Sequence, residues 1–222
     1  MPPPGPEELP THLPLFPLPG AIMFPRDRIV IQAFEPRYLR MVNHALAGSR
    51  LFGVIQPRDD GTTYTHPIPN DCPLYSVGGA AYIQAFHETD DERYLLQLTG
   101  IARFRITSDA LDQGGYRRAT VEWDEFRPDF EPADCSNLDH QGLLTALRLH
   151  AQTHGLKVNW DNLADDATEM LLHFGIRICQ LDNREKQGML EAEGVVERAR
   201  MLLASLAMKE AERSGSGSGS IN

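Results

Sequence analysis

Lysine is scarce in this chain of 222 residues: only Lys157, Lys186 and Lys209 occur, and every basic residue before Lys157 is arginine. The chain has no Gly-Lys pair, so it has no G-x-x-x-x-G-K-[ST] loop of the kind that cradles nucleotide phosphates, and ATP hydrolysis by that route is excluded. Cysteine is almost as rare. Cys72, Cys135 and Cys179 lie far apart, form no C-x-x-C pair and, being odd in number, cannot all pair within one molecule. That usage fits a reduced, cytoplasmic interior. Long apolar runs are missing too, and the opening Met1-Pro-Pro-Pro-Gly-Pro-Glu-Glu has neither the basic nor the apolar region of a secretory signal, so no membrane partner is expected. Positive charge is in short supply. With a net charge of -10 the chain repels phosphate backbones, and no nucleic-acid partner is expected.

What is there is enough apolar material, 41% of the residues, to bury a core. The proline-rich residues 1–12 have little to bury and are expected to be disordered, and residues 214–222, of serine-glycine composition, to form a flexible tail. In between, the hydrophobic period changes once. Up to about Phe126 it is mostly two, the period of a strand. Ile29, Ile31 and Ala33 alternate with Val30, Gln32 and Phe34, and Leu51-Phe-Gly-Val-Ile-Gln has the same β-rich character. Val77 to His87 and Tyr94 to Leu98 flank a polar loop as a hairpin does. Ile101 to Ile106 and Tyr116 to Phe126 read as two further strands. Glycines at 53, 78, 79 and 100 suggest a bent, barrel-like sheet. One helix interrupts it, opening at Pro36, closing at Gly48 and burying a stripe of Leu39, Val42 and Leu46.

After Pro132 the pattern is helical. Ser136 with Asp139 resembles a capping box ahead of Leu143, Leu144 and Leu147. Asp165 to Leu181 reads as a second helix, Asp182 with Glu185 caps a short third, and Val195, Ala199, Leu202 and Leu206 mark a fourth. The expected organisation is therefore α+β, with a β-barrel over residues 13–128 and a helical bundle over 129–213.

Several motifs, in order, carry a resemblance. Leu13-Pro-Leu-Phe-Pro-Leu-Pro-Gly20, Met23-Phe-Pro25, Phe34-Glu-Pro-Arg-Tyr-Leu39, Phe52-Gly-Val-Ile55, Val77-Gly-Gly-Ala-Ala-Tyr-Ile83 and Gly100-Ile-Ala-Arg-Phe-Arg-Ile106 together resemble the N-terminal, substrate-recognising domain family of Lon proteases. Glu185-Lys-Gln-Gly-Met-Leu-Glu191 is also similar. Two positions depart from the family pattern. Gly79 and Ala80 replace Thr and Val, and Arg26 stands where a glycine often follows the proline. The resemblance implies a PUA-like β-barrel with one inserted helix and a C-terminal helical bundle, standing alone without ATPase or peptidase. It also implies a non-catalytic module that recognises proteins or peptides as an adaptor or chaperone-like binder and can self-associate.

No cofactor, metal or catalytic residue is assigned. His150 and His154 are four apart on a helix but lack a third ligand at motif spacing. Cys72 has no local histidine base. Arg103 and Arg105 face either an acidic partner or the acids of the Thr120-Glu122-Asp124 strand face. The candidate partner-binding ridge is Phe34, Glu35, Arg37, Tyr38 and Arg40, since aromatics among arginines are enriched at interface hot spots. The alternatives are a small-molecule-binding protein or enzyme using a pocket between barrel and helices and, less favoured, an RNA-binding PUA-like protein.

Overall fold

A computed structural model describes residues 2–58, 61, 64, 67–161, 163 and 167–216, the side chains of 214–216 excepted. The chain divides into two units, Met1–Pro132 and Ala133–Asn222. In the first unit six strands form one mixed sheet: β1 (His12–Pro17), β2 (Arg28–Ala33), β3 (Leu51–Ile55), β4 (Val77–Glu88), β5 (Tyr94–Leu111) and β6 (Arg117–Glu122). Their order is β2-β5-β4-β3-β1-β6, and β6 also pairs with β5. The pairings thus return on themselves, but β5 gives residues 94–105 to β4 and 105–111 to β6, so the two pairings overlap only at Arg105. The result is a partial ring rather than a clear barrel. Register shifts in β4 after Gly79 and Ile83, and in β5 after Ile106, supply the bends.

Burial on two faces explains why β3 and the first half of β4 read as unbroken apolar runs. Leu13, Leu15, Leu51, Tyr82, Phe104 and Val121 converge inside the ring. The opposite faces of the same strands join the helix α1 (Pro36–Ala47) through Phe16, Phe52, Val54, Met41 and Val42. The buried stripe of α1 is Tyr38, Met41, Val42 and Ala45, with Leu39 and Leu46 at its margins. This corrects the expected Leu39-Val42-Leu46 stripe by a small rotation.

Three other differences have local causes. The segment His12–Pro17 is a strand despite Pro14 and Pro17, paired with β3 on one side and β6 on the other. The two strands expected on either side of Gly100 are one, β5, because Gly100 is there to admit a crossing segment. A Cβ at Gly100 would lie 1.8 Å from the Phe24 carbonyl oxygen, and one at Gly79 would lie 2.0 Å from that of Met23. Residues 1–12 were expected to be disordered. Instead Pro6–Glu8 makes a 3-10 turn, Leu9 packs against the ring interior, and the Pro10 carbonyl accepts from Trp123 Nε1.

The crossing segment ends in a tight turn. Pro25 is its second residue, Arg26 its third with φ of 61°, and the Asp27 N–H donates back to the Phe24 carbonyl. That is the pattern of a type II turn, whose third position glycine normally fills. The family's glycine therefore has a backbone reason, and Arg26 here bears the cost while its guanidinium donates to the Asp129 carbonyl.

The second unit contains α2 (His140–Thr153), α3 (Thr168–Ile178), α4 (Asn183–Glu191) and α5 (Val195–Ser216). Asp139, not Ser136, caps α2, accepting from the Gly142 N–H at 2.9 Å. The expected start of α3 at Asp165 lies outside the described residues. Asp182 and Glu185 form the expected capping box of α4. Gly175 lets α2 and α5 approach α3, since a Cβ there would meet Leu147 at 2.7 Å and Leu202 at 3.1 Å. Residues 214–216 continue α5, and the rest of the expected tail lies outside the described residues.

Candidate functional site

The ridge expected at the start of α1 is divided by the structure. Tyr38 is buried, its ring 4.3 Å from that of Phe16, and burial pushes its hydroxyl pKa up. It follows from helix phase, because residues 38, 41, 42 and 45 share one side of α1. Glu35 and Arg37 are largely enclosed: the guanidinium holds the Glu35 carboxylate at 2.7 Å, donates to Asn70 Oδ1 and the Ile68 carbonyl, and lies 4.6 Å over the Tyr38 ring. Arg40 is exposed and donates to the Gly114 carbonyl at 2.8 Å. The arginines of α1 thus tie the 68–70 loop and the β5–β6 turn to the helix. Phe34 alone of the five presents apolar surface, 44% exposed, with the Arg93 guanidinium 5.5 Å over its ring.

Other exposed apolar residues that the sequence did not single out lie on β2, just before Phe34 in the chain, and on its paired strand β5. Register places Val30 opposite Gln97 and Gln32 opposite Leu95, so Val30 and Leu95 stand on one face of the β2–β5–β4 end of the sheet. Val30 is 60% exposed and Leu95 39%. Phe86 is exposed on the other face, its ring 5.8 Å from that of Tyr94. A shallow depression of about 480 Å³ lies beside Val30, lined by Pro3 of the N-terminal segment, Arg28 and Ile29 of β2, Gln84 of β4, and Gln97, Leu98 and Thr99 of β5. The available signal was Val30 on the polar side of an alternating strand, an apolar residue with no interior to fill.

The remaining sequence candidates are occupied elsewhere. Arg103 does not face the β6 acids. It is buried, and its Nε, its Nη2 and its backbone N–H all donate to the Asp129 carboxylate at 2.8–3.0 Å, with the Phe126 ring 4.7 Å from the guanidinium. Arg105 pairs with Glu125 at 2.7 Å near the surface. Cys72 is buried, and burial raises its thiol pKa despite the nearby Arg117. The His150 and His154 rings lie 4.2 Å apart with their planes tilted by 39°, and among the described residues no group of three or more His, Cys, Asp or Glu side chains is placed to hold a metal ion.

Comparison with known proteins gives this arrangement a relation. The family model for the ATP-dependent protease La (LON) substrate-binding domain matches residues 12–207. The chain belongs to this family. As a Lon substrate-binding domain it is 26% identical over 203 residues to the Lon protease of Flavobacterium johnsoniae, covering 87% of this chain and 23% of that protein. It is 27% identical over 216 residues to Lon protease 2 of Thermus thermophilus, covering 92% and 26%. It therefore spans about a quarter of the length of these curated relatives. The crystal structure of a Lon N-terminal domain protein from Xanthomonas campestris superposes with a TM-score of 0.58 at 26% identity, over 87% of this chain and 98% of that one. The N-terminal domain of the Mycobacterium avium complex Lon protease shares the fold, with a TM-score of 0.61 at 18% identity over 88% and 98%. Among the described residues no helix is long and apolar enough to cross a membrane.

Proposed function

We propose that this Lon substrate-binding domain recognises protein clients, taking hold of exposed or unfolded segments as an adaptor or chaperone-like holder and performing no chemical step itself. The observation that carries this reading is the apolar surface at the β2–β5–β4 end of the sheet, where Val30, Leu95 and Phe34 are exposed in a domain whose family is named for substrate binding. Apolar side chains grouped on a strand face and rimmed by Arg28 and Gln97 have the composition of a recognition surface. The chain's lack of a Gly-Lys pair and its sparse, widely spaced cysteines support a non-catalytic role in a reduced compartment.

The test is capture of a permanently unfolded protein, such as reduced and alkylated casein, by wild-type protein and by the double variant Val30→Asp/Leu95→Asp. The expected result is at least a tenfold loss of capture, with a much smaller effect on melting temperature because Val30 is 60% and Leu95 39% exposed. Undiminished capture by the variant would remove this surface from consideration.

A further inference from the structure

β2 is last in the sheet order, so one edge pairs with β5 and the other with no described strand. The turn before β2 determines which backbone groups that open edge carries. The Gly100 N–H donates to the Asp27 carbonyl at 2.9 Å, and the Arg26 N–H donates to the Gly100 carbonyl at 2.8 Å. This is a bulge with a left-handed first residue, and beyond it the antiparallel ladder alternates. Residues 29, 31 and 33 then bond across to β5, while Arg28, Val30 and Gln32 turn their N–H and C=O groups outward. An independent contact agrees: the Arg28 N–H bonds to Asp27 Oδ1 at 2.8 Å instead of across the ladder. Val30 and Gln32 lie next along this edge, and their side chains are exposed with that of Arg28. No proline, lysine or bulge within residues 28–33 blunts the edge.

We propose, resting on the client-recognition reading, that the open edge of β2 binds an extended client segment as an added strand. The segment's main chain pairs with Val30 and Gln32, an apolar residue lies beside Val30, and a carboxylate two positions away lies beside Arg28. Only a polypeptide in the β conformation repeats donors and acceptors at the two-residue spacing this edge presents. The charge preference follows from Arg28, which has no described acid at ion-pair distance in a chain of net charge -10. A folded protein keeps most such backbone groups occupied, so this mode selects unfolded chains, with the side chains beside Val30 and Arg28 adding a preference among them.

The experiment uses the full chain and a fluorescent ten-residue peptide that alternates valine with threonine and carries one glutamate two positions from the central valine. The same peptide is made with every second amide N-methylated, in both frames. Binding of the parent peptide is expected, with about a tenfold loss in one methylated frame, the effect of removing a pair of main-chain hydrogen bonds. Val30→Pro removes an outward N–H while sparing the β5 ladder, and it is expected to lose a similar factor with native circular dichroism. Should that variant not fold, the methylated peptides on wild-type protein decide. Equal binding of the parent and both methylated peptides overturns edge pairing. If Val30→Asp/Leu95→Asp still abolishes capture of unfolded casein in that case, the client-recognition reading stands without it. Failure of wild-type protein to bind either peptide or casein overturns both.

Discussion

Arg103 and Arg105 are two residues apart on β5, and solvent gives them different weight. The Arg103–Asp129 pair is about 93% shielded on both side chains, and the carboxylate takes three donors. Asp129→Ala leaves a buried guanidinium without its counter-charge, and an expected loss of about 3–5 kcal/mol follows, read from urea denaturation. Glu125→Ala exposes Arg105 to water it already meets and is expected to cost only about 0–1 kcal/mol. A loss below about 1 kcal/mol for Asp129→Ala would mean that water reaches Arg103. Gly100 sets a second sharp limit. Its added Cβ collides with backbone rather than a movable side chain, so Gly100→Ala is expected to cost on the order of 3 kcal/mol or to prevent soluble expression. A melting temperature within a degree or two of wild type would show that residues 23–24 shift easily.

At the scale of elements, the helical unit carries an acid response. Burial pushes the Glu185 carboxyl up, but the Asp182 backbone N–H, Lys209 and Ser205 outweigh it and hold its pKa below the usual range. A depressed carboxyl stabilises the fold fully above the unfolded value of about 4.3 and loses that contribution as pH falls through the folded value. His150 on α2 acts earlier. Burial lowers its pKa, the facing His154 lowers it further, and of the α5 groups Lys209 and Arg213 oppose Glu210. The unfolded chain then takes up a proton more readily than the folded one, so stability declines as pH falls below about 6.5. Melting followed at the helix band of circular dichroism is expected to weaken in two steps, with His150→Leu removing the upper and Glu185→Gln the lower. A single step unchanged by either variant would refute the assignment. The capping pair Asp182/Glu185 was legible because its partners are three residues apart. The rotation of α1 was not, because the ring that fixes Tyr38 belongs to Phe16 in β1, and the prolines of β1 hid that strand.

For the whole molecule, the change of hydrophobic period near residue 126 matches the observed passage from strands to helices along the chain. The pairing of Asp129 with Arg103 holds residue 129, just past the expected boundary at 128, against β5. Of the candidate ridge only Phe34 reaches the exposed apolar surface, since helix phase and the Asn70 and Gly114 contacts engage the rest. Val30 was within reach of a sequence reading as an apolar residue on an outer face. That β2 ends the sheet was not, because strand order is a product of distant pairings.

The first strand of the ring is also the one that must wait longest. β1 pairs with β3 early in the chain, but its other edge bonds to β6, with His12 opposite Thr120, across roughly a hundred residues. Closing so long a loop is entropically slow, and contacts of that separation lower folding rates. During synthesis the N-terminal strand therefore emerges with an exposed edge of its own, and the ring cannot close until β6 is available. A domain that we propose receives unfolded chains spends its own birth as one, open along β1 until its last strand arrives.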